Sequence, residues 1–518
     1  MAPRGKMIAD FWTVCTTVLC LLLCIRTVVT DEENSEYWRQ VGRYALRRAI
    51  TVARHQNKNL ARNIVLFIGD GMGISTVTAA RIRAGQMNNR SGEENLLFFE
   101  RFPHTGLMKT YNVDAQVPDS GGAGTAIMTG VKANTGVIGC DARVSKGNCS
   151  AYNEDSKLRT ILHAFTDKGL STGIVSNSRV THATPASAYA HTPNRGWEGD
   201  VDLLSSGPEC RGVDDIAKQL VMNNADIKVI LGGGRRYFLD NTTADPETGE
   251  IDPYQRRDGL NLIQEWEKDK ENRGATHSYV WNKTQFDQLD LDNTDYLLGL
   301  FSPSHMDIFD EETANNETEL SLADMTEAAL KVLEKDNRGY FLMVEGARID
   351  WGHHVNSAYT AIHETIAMDE AVERAFLRTS RRDTLILVTA DHSHAFSIQG
   401  YAPRGHDILG VTAPDSNSVP LDGLPYTTLG YTNGPFSGRH DVTGVETDSP
   451  DYRQPGCVPL GVETHAGEDV AAYAVGPMAH LLHGTQEQNY LYHIMEYAAC
   501  VGYSERYCSN SYTHDRHG

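Results

Sequence analysis

Three short apolar runs, each followed by acidic or histidine side chains, constrain the fold of this chain most strongly. The runs 64–68, 340–344 and 385–389 have the length and composition of buried strands in a parallel sheet. Helical spacing lies between them, as in 356–377, where one face is formed by Ala358, Ala361, Ile362, Thr365, Met368 and Val372. This alternation predicts an α/β fold with a large, mainly parallel central sheet flanked by helices.

The side chains that follow these runs can hold cations, and the carboxyl ends of parallel strands meet at one edge of a sheet. They are Asp70 after the first run, Glu345, Asp350, His353 and His354 after the second, and Asp391, His392 and His394 after the third. Crowded carboxylates repel one another, and divalent cations relieve that repulsion. Because mixed histidine and carboxylate ligands suit zinc and oxygen-only sets suit magnesium, the sequence predicts a metal centre at this edge.

The segment 117–126 places Ser120 between Asp119 and a run of small residues. The pattern predicts a helix beginning at Ser120, whose unpaired N–H groups favour phosphate. Such a segment is by itself typical of an ordinary helix cap or turn. A serine beside two metals, however, is the arrangement expected for in-line displacement at phosphorus, so the segment and the ligand pattern together favour a nucleophile.

These motifs together resemble the animal alkaline phosphatase family, over about residues 34–508. The resemblance implies hydrolysis of phosphate monoesters to an alcohol and inorganic phosphate through a phosphoserine at Ser120, with Arg195 gripping the phosphate. It implies two zinc ions and one magnesium ion per subunit. The implied ligands are Asp350, His354 and His465 for one zinc, Asp70, Asp391 and His392 for the other, and Asp70, Thr184 and Glu345 for magnesium.

Further residues are expected to support this centre without binding a metal. We expect Asp119 to position Arg195 through a bidentate pair. The other supporting residues are His182, His353, His394 and Trp351, and Trp351 stands where vertebrate relatives carry a histidine near the phosphate. The calcium site of vertebrate relatives is matched only in part, by Glu247, the Phe301 backbone and Glu317, because Ser302 replaces a glutamate.

Charge and terminal segments indicate the compartment. A net charge of −21 argues against a nucleic acid partner. Residues 1–30 are predicted to be a signal peptide, with a retained anchor as the alternative, because the apolar stretch 11–25 is short for a membrane span. The last residues are polar, unlike the tail that precedes a lipid (GPI) anchor, so we expect a secreted, extracellular protein without a lipid anchor.

Cysteines and glycosylation sequons agree with secretion. Six of the 9 cysteines lie beyond residue 30, and an even number favours disulfides. The family resemblance pairs Cys149 with Cys210 and Cys500 with Cys508, whereas Cys140 and Cys457 either pair with each other or remain thiols. The sequons are at Asn89, Asn148, Asn241, Asn282 and Asn316.

Because the predicted ligands span residues 70–465, one large domain over 31–518 must enclose them. The resemblance implies a homodimer, with an interfacial helix at 34–58 and a crown insertion at about 400–464. A helix packed on its own domain and a long surface loop are the alternatives for these two segments. For function, the alternatives are a phosphodiesterase or sulfatase of the same superfamily and an inactive extracellular binding protein, and Ser120 with Arg195 favours the monoester hydrolase.

Overall fold

The computed structural model describes residues 35–308, 320–412, 419–506 and 508, and the chain divides into two units between Gln56 and Asn57. The first unit contains helix α1 (Ser35–Arg54), which has no buried side chain. This helix covers most of the segment 34–58, whose interfacial role stays a prediction. The predicted signal peptide, the sequon at Asn316 and the Glu317 side chain lie outside the described residues.

The second unit contains the remaining α-helices of the described residues, each three or more residues long. They are α2 (Ile74–Met87), α3 (Ser120–Thr129), α4 (Ile161–Asp167), α5 (Ala183–Ala186), α6 (Ile216–Lys218), α7 (Leu262–Asn272), α8 (Lys283–Asp287), α9 (Leu322–Leu333), α10 (Arg348–His354), α11 (Ala358–Arg378) and α12 (Tyr490–Ala499). Helix α6 continues as a π-helical turn over Gln219–Asn223.

The strands of the main sheet are β1 (Asn63–Gly69), β2 (His104–Lys109), β3 (Ser171–Arg179), β4 (Val229–Gly233), β5 (His277–Val280), β6 (Tyr296–Leu300), β7 (Tyr340–Gly346) and β8 (Thr384–Ala390), with β16 (Val470–Val475) and β17 (Gly484–Glu487) further along the chain. Shorter strands are β9 (Ser393–His394), β10 (Phe396–Ile398), β11 (Val411–Thr412), β12 (Tyr426–Thr427), β13 (Leu429–Gly434), β14 (Gly456–Pro459) and β15 (His465–Ala466).

The ten-stranded sheet has the order β17-β2-β16-β8-β1-β7-β3-β4-β6-β5. Strand β16 runs antiparallel to both of its neighbours, and every other pairing in the sheet is parallel. The predicted α/β fold with a mainly parallel sheet is thus confirmed. The three predicted strands are β1, β7 and β8, adjacent at the centre, and Gly69 pairs with both Gly346 and Ala390. This register brings the three functional strand ends to one level.

Burial explains why these segments form their elements. Every residue of β1, β7 and β8 is buried, as their apolar runs predict for strands covered on both faces. All residues of the predicted α11 face are buried, and the helix begins at Ala358 because the Ser357 side chain accepts a hydrogen bond from the Thr360 N–H. The segment 400–464 contains the short strands β11 to β14 instead of continuing the main sheet.

No helix within the described ranges combines the length and apolar character needed to cross a bilayer.

Candidate active site

The predicted nucleophile lies at the start of a buried helix. Asp119 caps α3, since its carboxylate accepts the N–H groups of Gly121 and Gly122, each at 3.1 Å. The helix can begin this way only with small residues, because a Cβ on Gly122 would lie 2.4 Å from the Asn112 side chain. The Oγ of Ser120 is buried and lies 3.2 Å from Nε2 of His392.

Asp350, His354 and His465 form a tight triangle of ligand atoms. The two histidine Nε2 atoms are 3.3 Å apart, and each lies 3.3 Å from an oxygen of Asp350. Ligand atoms around a tetrahedral zinc ion, with bonds of about 2.0–2.1 Å, are separated by about this distance. The triangle therefore has the size of one face of a zinc coordination shell.

Backbone carbonyls fix the orientation of both imidazoles in this triangle. Nδ1 of His354 donates to the Glu463 carbonyl at 2.6 Å, and Nδ1 of His465 donates to the Pro118 carbonyl at 2.9 Å. Because a carbonyl can only accept, each Nδ1 carries the proton and each Nε2 presents a lone pair. Two lone pairs that face each other at 3.3 Å repel, and a cation bound by both nitrogens would relieve this repulsion.

A second cluster is formed by Asp70, Asp391 and His392. Nε2 of His392 lies 3.4 Å from Oδ1 of Asp70 and 3.3 Å from Oδ2 of Asp391. The other oxygen of Asp391 accepts the N–H groups of Gly71 and His392. Its Oδ2 is buried without a hydrogen-bond partner among the described residues, which fits an atom that binds a metal.

The third predicted ligand set consists of oxygen atoms. Oδ2 of Asp70 lies 3.5 Å from Oγ1 of Thr184, and ligand oxygens of Asp70 and Glu345 lie within 4.8 Å of each other. The Ser176 and Ser178 hydroxyls donate to Oε2 of Glu345 and hold this carboxylate in place. Sequence reasoning missed both serines, because Ser and Thr within a strand carry no ligand signal of their own.

The electrostatics of the protein alone also call for cations. Burial raises the pKa of Asp70 well above its usual value, and repulsion from Asp391, Asp350 and Glu345 adds to this rise. Burial likewise raises the pKa of Glu345 to about 7. Since bound metal ions reverse this preference for the neutral acids, the donor sets fit zinc at the two mixed clusters and magnesium at the oxygen cluster.

His394 bridges two carboxylates. Its Nε2 donates to Oδ1 of Asp350 at 2.7 Å and its Nδ1 donates to Oε2 of Glu463 at 2.5 Å. Burial opposes its charge, but Glu463 and Asp350 together raise the pKa of His394 to about 10. The protonated ring orients Asp350, as expected for a supporting residue. Glu463 was not predicted, although its position two residues before His465 was a usable signal.

His353 also lies behind the ligands. Its Nε2 and Nδ1 each lie 2.9 Å from a hydroxyl oxygen, those of Thr76 and Tyr431, and its ring stacks on His394 at 4.7 Å. Both ring nitrogens thus have hydrogen-bond partners, which agrees with the predicted supporting role and leaves no lone pair for a metal.

The expected bidentate pair between Asp119 and Arg195 is not formed. The described contacts join them by one hydrogen bond, from Nη1 of Arg195 to Oδ2 of Asp119 at 3.1 Å. The reason is that Oδ1 accepts the N–H groups of Gly122 and Gly136 and the Asn112 amide. Nη2 of Arg195 instead donates to Nε2 of His182 at 3.2 Å, so two side chains position this guanidinium.

The described part of the chain includes Glu247, Phe301 and Ser302 of the partial calcium site, whereas Glu317 lies outside it. Oε2 of Glu247 accepts a hydrogen bond at 2.6 Å from Nη2 of Arg235, a fully buried guanidinium. The Ser302 hydroxyl donates to the His305 carbonyl at 2.8 Å. A guanidinium therefore lies beside one of the expected calcium ligands, and calcium binding stays a prediction.

The cysteines differ in part from expectation. Cys149 and Cys210 form a disulfide. Cys500 and Cys508 are both thiols, so the second bridge is not formed here and stays a prediction for the oxidised protein. Cys140 is a buried thiol and Cys457 an exposed thiol, which favours the second of the two alternatives for this pair. Of the described sequons, Asn89, Asn148 and Asn241 are exposed, and Asn282 is half-buried at the start of α8.

With cations at these clusters, the Ser120 hydroxyl faces a positive centre that also includes the Arg195 guanidinium. This is the environment that displacement at a phosphorus atom requires, because negative charge accumulates on the phosphoryl oxygens. Fold and site together define a metal-dependent phosphoester hydrolase.

Comparisons with known proteins define the family. A family model described as alkaline phosphatase matches residues 61–501. The tissue-nonspecific alkaline phosphatase of Gallus gallus is 46% identical over 502 residues, covering 96% of this chain and 95% of the relative, and that of Homo sapiens is 44% identical with 94% of each covered. A Thermus thermophilus alkaline phosphatase structure has a TM-score of 0.61 at 22% identity, over 87% of this chain and 94% of the other. This chain belongs to the alkaline phosphatase family, and it hydrolyses phosphate monoesters.

Proposed function

We propose that this alkaline phosphatase acts through a phosphoserine at Ser120, with two zinc ions and one magnesium ion per subunit. The observation that carries the proposal is the contact of 3.2 Å between the Ser120 Oγ and Nε2 of His392, a nitrogen that also faces Asp70 and Asp391. The hydroxyl therefore borders one predicted zinc position directly.

Each metal is assigned to the donor set that it prefers. Asp350, His354 and His465 would hold one zinc, Asp70, Asp391 and His392 would hold the other, and Asp70, Thr184 and Glu345 would hold magnesium. When bound, these ions supply positive charge that lowers the pKa of nearby hydroxyls and water and stabilises the leaving oxygen.

The residues of the chain perform the rest of the reaction. Arg195 binds two phosphate oxygens with its planar guanidinium, which Asp119 and His182 hold in place. The Ser120 oxygen forms a bond to phosphorus as the bond to the leaving oxygen breaks, and the alcohol leaves with a proton. Water then attacks the phosphoserine, which releases inorganic phosphate and restores the Ser120 hydroxyl.

We further propose a secreted homodimer. The disulfide between Cys149 and Cys210 supports an oxidising compartment. Helix α1 exposes Trp38, Val41, Tyr44, Leu46 and Ile50, which supports an interfacial role for this segment. In the segment 400–464, Tyr401 is exposed and available to a second subunit. Sedimentation of the purified protein from culture medium tests both points, and a monomer would contradict the dimer.

Trapping the phosphoserine tests the nucleophile. Protein incubated with labelled phosphate and quenched in acid should carry the label on Ser120, as peptide mass spectrometry would determine. Label on another residue, or turnover without any trapped label in the presence of zinc and magnesium, would contradict the assignment.

A further inference from the structure

A cavity adjoins the proposed phosphate and metal residues and extends beyond them. It has a volume of about 360 Å³ and is lined on one side by the proposed metal and phosphate residues, among them Arg195, Asp350, His354 and His465. Its remaining wall is formed by residues with no role in the proposed reaction: Thr135, Lys146, His305, Arg348 and Trp351. Since the phosphate lies among the first group, the leaving alcohol of a substrate faces the second.

Trp351 is the large apolar group of this wall. It is 43% exposed, although the residues on both sides of it in α10 are buried. Its ring centroid is 5.5 Å from that of His305, with 38° between the two planes, and the Arg348 guanidinium carbon lies 5.4 Å from the indole centroid. The indole thus contacts both neighbours, while 43% of its surface stays exposed and it lines the cavity.

His305 is held rigidly in this arrangement. Its Nε2 accepts a hydrogen bond from Nη1 of Arg179 at 2.5 Å, and Arg179 is itself paired with Glu198. Burial and the positive charges of Arg179, Arg348 and Arg236 lower the pKa of His305 to about 2, so the ring is neutral. Contact with this neutral, hydrogen-bonded ring limits the rotation of Trp351, so the indole is a preformed surface for stacking.

We propose that Trp351, packed against His305 and Arg348, is a leaving-group subsite that stacks on a planar aromatic ring in the substrate alcohol. The subsite rests on the proposed function, because it requires the phosphate to lie beside Ser120 and Arg195. The ring can belong to a phenol, attached directly to the ester oxygen, or to the base of a nucleoside monophosphate, which reaches further. Aliphatic phosphate esters gain nothing from this surface.

Two substrate pairs isolate the contribution of the ring. Phenyl phosphate is compared with cyclohexyl phosphate, and adenosine 5′-monophosphate with ribose 5-phosphate, as ratios of kcat/KM. Stacking of a base on an aromatic side chain contributes about 1–3 kcal/mol, so Trp351→Leu should lower the ratio of at least one pair by about fivefold or more. A lower ratio for the first pair identifies a phenol as the stacked group, and a lower ratio for the second pair identifies a nucleoside.

Matched variants separate stacking from damage to the site. Trp351→Phe keeps a ring and should retain most of the preference. Tyr254→Leu is the control, because Tyr254 is 45% exposed with the Arg236 guanidinium 4.5 Å from its ring centroid but does not line the cavity. Its two ratios should equal those of the wild type. Ratios unchanged in Trp351→Leu for both pairs would overturn the subsite.

A binding measurement covers the case in which Trp351→Leu loses all activity. In a metal-loaded Ser120→Ala protein, calorimetry should find that phenylphosphonate binds at least about fivefold more tightly than cyclohexylphosphonate. Equal affinities would overturn the subsite while leaving the phosphate site intact. If neither phosphonate bound, the phosphate site assigned under the proposed function would be wrong, and the subsite would fall with it.

Discussion

Nε2 of His392 lies 3.2 Å from Oγ of Ser120, and the same nitrogen lies within 3.4 Å of carboxylate oxygens of Asp70 and Asp391. The Ser120 hydroxyl therefore lies directly beside the ligand atoms of the cluster formed by Asp70, Asp391 and His392. A metal at that point would contact Ser120 directly, so the chemistry of the hydroxyl and the metal content of the protein can be tested separately.

Ser120→Ala should lower turnover at least about 1,000-fold, because no other hydroxyl of α3 lies against a metal cluster. Zinc and magnesium content should stay close to wild type, since the assigned ligands are unchanged. Thr129→Ala is the control: Thr129 is a buried hydroxyl of the same helix that donates to the Thr125 carbonyl, and its loss should leave turnover within a few-fold of wild type. Turnover of Ser120→Ala near the wild-type rate would refute the assignment.

Asp70→Ala should lose two bound metal ions per subunit, whereas His465→Ala should lose one. Asp70 uses Oδ1 toward His392 and Oδ2 toward Thr184, so it belongs to two ligand sets, whereas His465 is assigned to one set, with Asp350 and His354. Metal per subunit, measured by mass spectrometry after dialysis against the same buffer, checks this difference. Equal losses in the two variants would mean that Asp70 does not bridge.

Glu463→Gln should weaken zinc binding at the Asp350 cluster by about 10–100-fold, because it removes the charge that holds His394 against Asp350. The exposed Glu468, five residues further along, is the matched control, and Glu468→Gln should bind zinc as the wild type does. Competition with a chelator gives the two affinities. A Glu463→Gln affinity equal to that of the control would show that the bridge does not support the ligand.

The half-buried carboxyl of Asp369 should make stability depend on pH. Burial raises its pKa to about 7, although the N–H groups of Phe98 and Phe99 donate to its oxygens at 2.7 and 3.1 Å. The folded protein thus binds this proton more tightly than the unfolded chain, whose pKa is about 3.9, and the resulting stabilisation is lost as pH rises from about 4 to 7.

Asp369→Asn removes this titration. The free energy of unfolding of the variant relative to wild type should therefore rise by about 2 kcal/mol between pH 5 and pH 8. Glu468→Gln, at an exposed position outside this helix, controls for the loss of a charge. Thermal unfolding at the two pH values measures the difference, and a constant difference for Asp369→Asn would disprove the coupling.

The sequence was sufficient for the features that depend on local pattern. The runs that became β1, β7 and β8 were recognisable from apolar composition, and their final acids from position alone. The roles of Ser176, Ser178 and His305 could not be predicted, because each depends on a neighbour that is distant in the chain, such as Glu345 or Trp351. The bidentate geometry predicted for Asp119 and Arg195 was wrong for the same reason, because three other donors occupy Oδ1 of Asp119.

The reversed direction of β16 explains how His465 reaches the site. When the strands of a sheet run parallel, the segments that follow them lie at the functional edge, and the segments that precede them lie at the opposite edge. Because β16 runs the other way, with Tyr473 opposite Val388 and Val475 opposite Ile386, its beginning lies beside the end of β8. The segment before β16 is thereby delivered to the same edge, and His465 pairs with His394 there. One inverted strand thus lets the chain approach its metal centre from the opposite direction, so the last ligand to be synthesised closes a shell that the earlier strands leave open.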